Sequence, residues 1–325
     1  MGTIILGTGS CLPKRVMSNI ELESIVETND EWIRTRTGIE NRRIGGAGEK
    51  TYQLAASAAE NALAMADIDA KEIGMLVVGT ISSHMIMPSC ACYVQNEIGA
   101  TNAFAYDINA ACCGFLYGLD IGDRYVQTDS QTKVLVIGAE TLSSRLNWQD
   151  RNTCILFGDG AGAAVIGHNE DTNRKIISTN HCSDGSLRDL LYMHNAPSQN
   201  PDLLVEENPG AHIVMEGPEV FKHAIKAMED AIFGLFAKTG LGIDDIDVMI
   251  PHQANFRILK KLLERLEIPS DKVFFNVMNY GNTSAASVPI ALDEANRSGR
   301  IKNGDTVLFC SFGGGLTWGA TLLRW

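Results

Sequence analysis

A cysteine set between a buried strand and a helix is the feature of this sequence best placed for covalent chemistry. It lies in Asn109-Ala110-Ala111-Cys112-Cys113-Gly114-Phe115. The apolar run 103–108 predicts a strand before it, and 115–126 predicts a helix after it. A helix start presents unpaired N–H groups and partial positive charge, both of which favour a thiolate. A buried structural cysteine fits these seven residues as well. Two further polar residues follow the same plan. His252 follows a buried strand in Ile250-Pro251-His252-Gln253-Ala254-Asn255, and Asn282 lies in the small-residue turn Tyr280-Gly281-Asn282-Thr283-Ser284. Thiol, imidazole and amide at loop ends of one core form a set for nucleophilic catalysis.

The elements that must position these residues alternate. Strands are expected near 3–7, 75–79, 133–138, 247–250, 272–277, 306–310 and 317–325. Helices are expected near 51–66, 218–237, 255–266 and 286–297. A polar excursion is expected over 183–212, carrying Pro197, Pro201 and Pro209. Strands apolar on both faces, separated by helices, predict an α/β protein with covered sheets. Three segment pairs repeat at one offset of 173 residues: Ile73 with Ile246, Val134 with Val307, and Asn109 with Asn282. The chain therefore reads as two duplicated halves, 1–172 carrying the thiol and 173–325 carrying the imidazole and amide. The same offset sets Ala285 opposite Cys112.

Composition narrows the function. The 325 residues are 45% hydrophobic and carry a net charge of −12, which argues against general nucleic-acid affinity. Eight cysteines without CxxC spacing suggest reduced thiols in a cytoplasmic protein, with neither a disulfide framework nor a zinc site. The opening Met1–Leu6 lacks a basic, apolar leader pattern, and no apolar run is long enough to predict a membrane span. Gly158-Asp159-Gly160-Ala161-Gly162 has the wrong spacing for a dinucleotide loop and reads as packing support.

Taken together, Ala110-Ala111-Cys112-Cys113-Gly114-Phe115, Phe157-Gly158-Asp159-Gly160-Ala161-Gly162, His252-Gln253-Ala254-Asn255, Tyr280-Gly281-Asn282-Thr283-Ser284 and Gly313-Gly314-Gly315-Leu316-Thr317-Trp318-Gly319 resemble β-ketoacyl-acyl-carrier-protein synthase III. The resemblance spans essentially the whole chain. It implies the thiolase-like fold with layered α-β-α-β-α architecture. It also implies an acyltransferase that joins acetyl-CoA, or another short acyl-CoA, to malonyl-acyl-carrier-protein by decarboxylative Claisen condensation.

By that resemblance Cys112 carries the acyl group, and His252 and Asn282 stabilise the enolate. Backbone N–H groups of Cys112 and Gly315 form the oxyanion hole. Trp32 and Arg151 flank the CoA adenine and Arg36 lies near its phosphates. Lys222, Arg257, Lys260 and Lys261 dock the acidic acyl carrier protein, and Met87 reaches the acyl pocket of a homodimer partner. No metal or redox cofactor is implied, and neither nucleic acid nor membrane is an expected partner. Two positions depart from the family pattern. Pro218 stands where an asparagine is expected, and Cys113 where a small residue such as alanine is common. A relative using the same Cys-His-Asn set for a specialised ketide or quinolone product is the alternative.

Overall fold

The computed structural model describes residues 2–170, 173–194 and 211–325. Two sheets form its frame. The first runs in the order Gly2–Cys11, Asp159–Asn169, Lys133–Thr141, Ile73–Gly79, Phe104–Ile108. Its first two pairings are antiparallel and its last two parallel. The second runs Lys175–Ser183, Thr317–Arg324, Thr306–Gly313, Val248–Pro251, with two antiparallel pairings and then a parallel one.

Apolar cores join five layers of helix and sheet. Helices Thr51–Ala66 and Cys90–Ile98 cover one face of the first sheet, with Ala55, Ala58, Ala59 and Ala62 packed against Leu76 and Ile137. Helix spacing sets those alanines on one stripe, and their small size lets the helix lie close to the strands. Helices Gly114–Thr128 and Ser287–Arg297 fill the space between the sheets through Phe115, Leu119, Val288 and Leu292. Helices Gly217–Thr239 and Phe256–Leu266 cover the far face of the second sheet. The last of these buries Ile258, Leu259, Leu262, Leu263 and Leu266, leaving Arg257, Lys260 and Lys261 outward.

The repeat is visible in the backbone. Short 3₁₀ turns at Ala70–Glu72 and Ala111–Cys113 recur at Ile243–Asp245 and Ser284–Ala286, each 173 residues on. Ala111 and Ser284 both take left-handed conformations, with φ of 45° and 49°.

Residues 272–277 depart from expectation. They form no strand; a single parallel bridge joins Val273 to Met249, and a helical turn begins at Val277. The reason is local: Gln253 Oε1 accepts the N–H groups of Asn276 and Val277, at 3.0 and 3.2 Å. Those donors tie the segment to the His252 loop and not to a ladder. In the described part of the polar excursion, Leu191–Met193 pairs with Ile213–Met215 just beyond it. Pro197, Pro201, Pro209 and the expected division after residue 172 lie outside the described residues.

Candidate active site

The Cys112 turn sits where the two halves meet. The C-terminal hairpin holds its carbonyls: Ser311 Oγ donates to Cys112 O at 2.8 Å, and Thr317 Oγ1 donates to Ala110 O at 3.1 Å. A Cβ at Gly313 would meet Cys112 N at 2.6 Å, so only glycine admits this approach. Cys112 lines a cavity of about 860 Å³ together with His252, Asn282, Ser284, Gly314 and Gly315.

The thiol itself corrects an expectation. Burial pushes Cys112 up to about 12, against an opposing influence from the Ser284 hydroxyl. Burial therefore opposes the help that a helix start gives a thiolate, and it favours the neutral thiol at rest. It must lose its proton as it reacts.

His252 is fixed at the end of strand Val248–Pro251, where its N–H donates to Cys310 O at 2.7 Å. Its Nδ1 lies 2.5 Å from Ser287 Oγ. Ser287 Oγ also accepts the Gln253 N–H at 3.4 Å, which directs the hydroxyl proton toward Nδ1. The tautomer assigned from this network is Nε2–H, a donor free to face the cavity. Burial pushes the imidazole down to about 3, so it is neutral at rest.

Asn282 is equally constrained. Its N–H donates to Leu156 O at 2.8 Å, and its carbonyl accepts the Gly158 N–H at 3.0 Å. Its Oδ1 accepts the Ser284 N–H at 2.8 Å, which leaves the amide NH₂ as the available group. The site thus presents one thiol and two neutral N–H donors from three loops. Preorganised neutral donors of this kind stabilise a developing oxyanion or enolate. Gly315, with φ of 135°, occupies a conformation that side chains disfavour and lines the same cavity.

The remaining expected residues spread outward. Trp32, Arg36, Pro218 and Arg257 line the cavity. The Arg36 and Arg151 guanidinium carbons lie 4.4 and 5.0 Å from the centre of the Trp32 ring. Both cations lie against the indole. Pro218 falls in the first turn of helix Gly217–Thr239, a position where its missing N–H costs no helical bond. Lys222 and Lys261 are each paired, with Glu219 at 3.8 Å and Glu264 at 3.0 Å. Lys260 and Arg257 are exposed on helix Phe256–Leu266, with Arg257 over the Phe221 ring. Met87 is 84% exposed beside the 81% exposed Ile86 and does not line its own chain's cavity.

Sequence reasoning missed Ser284, Ser287 and the buried Glu140. The two serines had a signal: they stand two and five residues after Asn282. Glu140 had another, a lone carboxylate closing the apolar run Val134–Ala139. Among the described residues no group of three or more His, Cys, Asp or Glu is placed to hold a metal ion.

The fold and the kind of site define a thiolase-fold condensing enzyme, an acyltransferase. Family models described as 3-Oxoacyl-[acyl-carrier-protein (ACP)] synthase III match residues 106–185 and, for the C-terminal part, 236–325. The chain is 59% identical to the Beta-ketoacyl-[acyl-carrier-protein] synthase III of Desulfotalea psychrophila over all of both chains. The crystal structure of 3-oxoacyl-[acyl-carrier-protein] synthase III from Aquifex aeolicus VF5 has a TM-score of 0.92 at 46% identity, with both chains fully covered. The priming β-ketosynthase of the R1128 polyketide biosynthetic pathway has a TM-score of 0.90 at 34% identity, covering 99% of this chain and 96% of that one. The chain belongs to the β-ketoacyl-acyl-carrier-protein synthase III family, the initiating condensing enzymes of type II fatty-acid synthesis.

Proposed function

We propose that this protein accepts an acetyl group, or another short acyl group, from CoA onto Cys112. It then condenses that group with malonyl-acyl-carrier-protein to give a 3-ketoacyl-carrier-protein. The observation that carries the reading is the meeting of Cys112, His252 and Asn282 on one cavity with two oriented neutral donors. The Cys112 sulfur attacks the thioester carbonyl and CoA leaves as its thiol. The acyl oxygen accepts from the backbone N–H groups of Cys112 and Gly315 while tetrahedral. The malonyl thioester then loses CO₂, and its carbonyl oxygen takes hydrogen bonds from His252 Nε2 and Asn282 Nδ2 as enolate charge develops. The carbanion attacks the acyl-Cys112 carbonyl and releases the sulfur. No metal or redox cofactor is required for these steps.

Trp32, Arg36 and Arg151 form the proposed CoA mouth, where guanidinium and indole faces suit an adenine and its phosphates. Arg257 and Lys260, with Lys222 and Lys261 beside them, form the proposed dock for the acidic carrier protein on a chain of net charge −12. The exposed apolar group Met85, Ile86 and Met87 supports a homodimer in which Met87 closes the partner's acyl pocket. We propose the two halves divide at 172/173 and that the enzyme acts in the cytoplasm. A related Cys-His-Asn enzyme making a specialised ketide or quinolone product is a second reading, its ketide form favoured by the likeness to the R1128 enzyme.

Peptide mass after mixing with acetyl-CoA alone tests the reading. An acetyl group on the Cys112 peptide, absent from Cys112→Ala, is the expected result. An adduct only with a longer acyl-CoA changes the primer, and no adduct with any thioester sinks the mechanism. Turnover that needs no carrier protein would favour the specialised ketide.

A further inference from the structure

Gln253, the residue after His252, is 1% exposed and does not line the cavity. Every hydrogen bond its side-chain amide can make is made, and each goes to backbone. Nε2 donates to Pro251 O at 2.8 Å and to Phe274 O at 3.1 Å. Oε1 accepts the N–H groups of Asn276 and Val277, at 3.0 and 3.2 Å. The bond to Pro251 folds the side chain back onto the carbonyl that precedes His252. The Gln253 N–H, just after His252, donates to Ser287 Oγ at 3.4 Å. The peptide on each side of the imidazole is therefore gripped.

The far end of this contact carries Asn282. Val277 opens the helical turn Val277–Tyr280, and the Gly281 N–H donates to Val277 O at 2.9 Å. Glu294, on helix Ser287–Arg297, holds that turn from both ends. Its Oε2 accepts from Asn276 Nδ2 at 2.8 Å, and its Oε1 accepts from the Tyr280 hydroxyl. Asn282 follows two residues after Tyr280. A continuous run of hydrogen bonds thus joins the His252 loop to the Asn282 loop, and none of these bonds reaches the Cys112 turn.

Resting on the acyl-Cys112 reading, we propose that Gln253 is a positioning residue for condensation: it spaces the His252 and Asn282 donors so that both meet one thioester oxygen. Two donors and an acceptor are needed at one buried point, and at neutral pH a carboxamide supplies them where a carboxylate or an aliphatic chain does not. A group left unmatched there costs free energy in the closed interior, so the amide holds the two loops in one arrangement. Acylation of Cys112 uses the Cys112 and Gly315 N–H groups, whereas decarboxylation uses the two donors that Gln253 spaces. A change at Gln253 should therefore separate the two half-reactions.

The experiment measures them apart: acetylation of Cys112 by acetyl-CoA alone, and single-turnover condensation of pre-acetylated enzyme with malonyl-acyl-carrier-protein. Gln253→Leu should keep acetylation within about 3-fold and slow condensation about 10- to 100-fold at saturating carrier, the loss expected when a donor shifts by about 1 Å. Its KM for the carrier substrate should change little, because Gln253 touches no substrate. Gln253→Glu adds a readout that a packing role would not move. Ionised, that carboxylate opposes the Pro251 and Phe274 carbonyls; protonated, it donates to one of them. Its condensation rate, relative to its own acetylation rate, should recover as pH falls, with no such recovery in wild type. The ionisable groups nearby are His252, kept neutral by burial, and Glu294 beyond Asn276. Tyr280→Phe removes one hydroxyl from a half-buried ring at the other end, and should slow condensation several-fold with acetylation unchanged. It decides the matter should both Gln253 variants fail to fold. Equal losses in both half-reactions, or wild-type condensation in folded Gln253→Leu or, failing that, in Tyr280→Phe, would overturn the positioning role and leave the acyl-Cys112 reading standing. No adduct on wild type would overturn both.

Discussion

The Cys112 turn and the Ala285 turn are copies of one another, yet their surroundings are opposite. Each packs its carbonyl against the penultimate stretch of the other half's strand, at positions 138 and 311, again 173 apart. At the first turn Ser311 Oγ reaches across and donates to Cys112 O. At the second, Gly138 brings no side chain, because a Cβ there would lie 2.0 Å from Ala285 O. Both turns lie close against a glycine backbone, but at the reactive turn a side-chain hydrogen bond is added and the central residue lines the cavity. Duplication supplied the same backbone bend twice, and packing left the central residue of only one of them on the cavity. The second half instead supplies Ser284, His252 and Asn282, which face the first half's sulfur across the cavity.

The comparison breaks most decisively by moving the thiol. Cys112→Ala should abolish acyl-enzyme formation, and adding Ala285→Cys should not restore it. Ala285 is 1% exposed, and its Cβ lies 3.4 Å from where a side chain on Gly114 would begin. A substrate carbonyl has no route to that position. Mass analysis of the double variant with acetyl-CoA checks this; acylation at 285 would mean the two turns are functionally interchangeable.

Packing offers the next largest contrast. Gly138→Ala must push the Ala285 carbonyl away, and overpacking against backbone costs about 3 kcal/mol. Ser311→Ala removes one buried hydrogen bond and should cost about 1–2 kcal/mol. Denaturant midpoints of the two variants measure the difference. Equal losses would show that the second turn yields as easily as the first, contrary to its close contact.

Much of this was legible before any coordinates, and the reason is periodicity. The repeat offset, the thiol turn and the histidine and asparagine loops all depend on local patterns that survive folding unchanged. Helix 51–66 was recoverable to the residue because it is rich in alanine and its alanines keep one face. The strand expected over 272–277 was not, because its N–H groups are claimed by Gln253, a long-range contact that no window of sequence reveals. The setting of the thiol was half legible for a similar reason: the helix start is local and visible, whereas the burial that raises the thiol is assembled from both halves. Glu140 and Ser287 escaped notice because each gains its role from a partner more than 30 residues away.

The smallest expected effect sets the buried acids and bases of the two halves against each other. Glu140, raised to about 7 from 4.5, binds a proton in the folded state that the unfolded chain has released between those values. Its contribution to stability is therefore lost as pH rises through 7. His252, lowered to about 3 from 6.5, is the reverse: the unfolded chain takes up a proton that the folded site refuses. Its contribution is present above 6.5 and lost as pH falls toward 3. Between pH 4.5 and 6.5 the two slopes have opposite signs and offset one another. Glu140→Gln removes one of them, so the melting temperature of that variant should fall more steeply with acid across this window than wild type does. His252→Gln should instead leave a melting temperature that falls less with acid across this window than that of wild type, because one lowered imidazole is gone. Identical slopes in all three proteins would mean that neither group keeps its neutral form in the fold, and the opposition between the halves would then lie in packing alone.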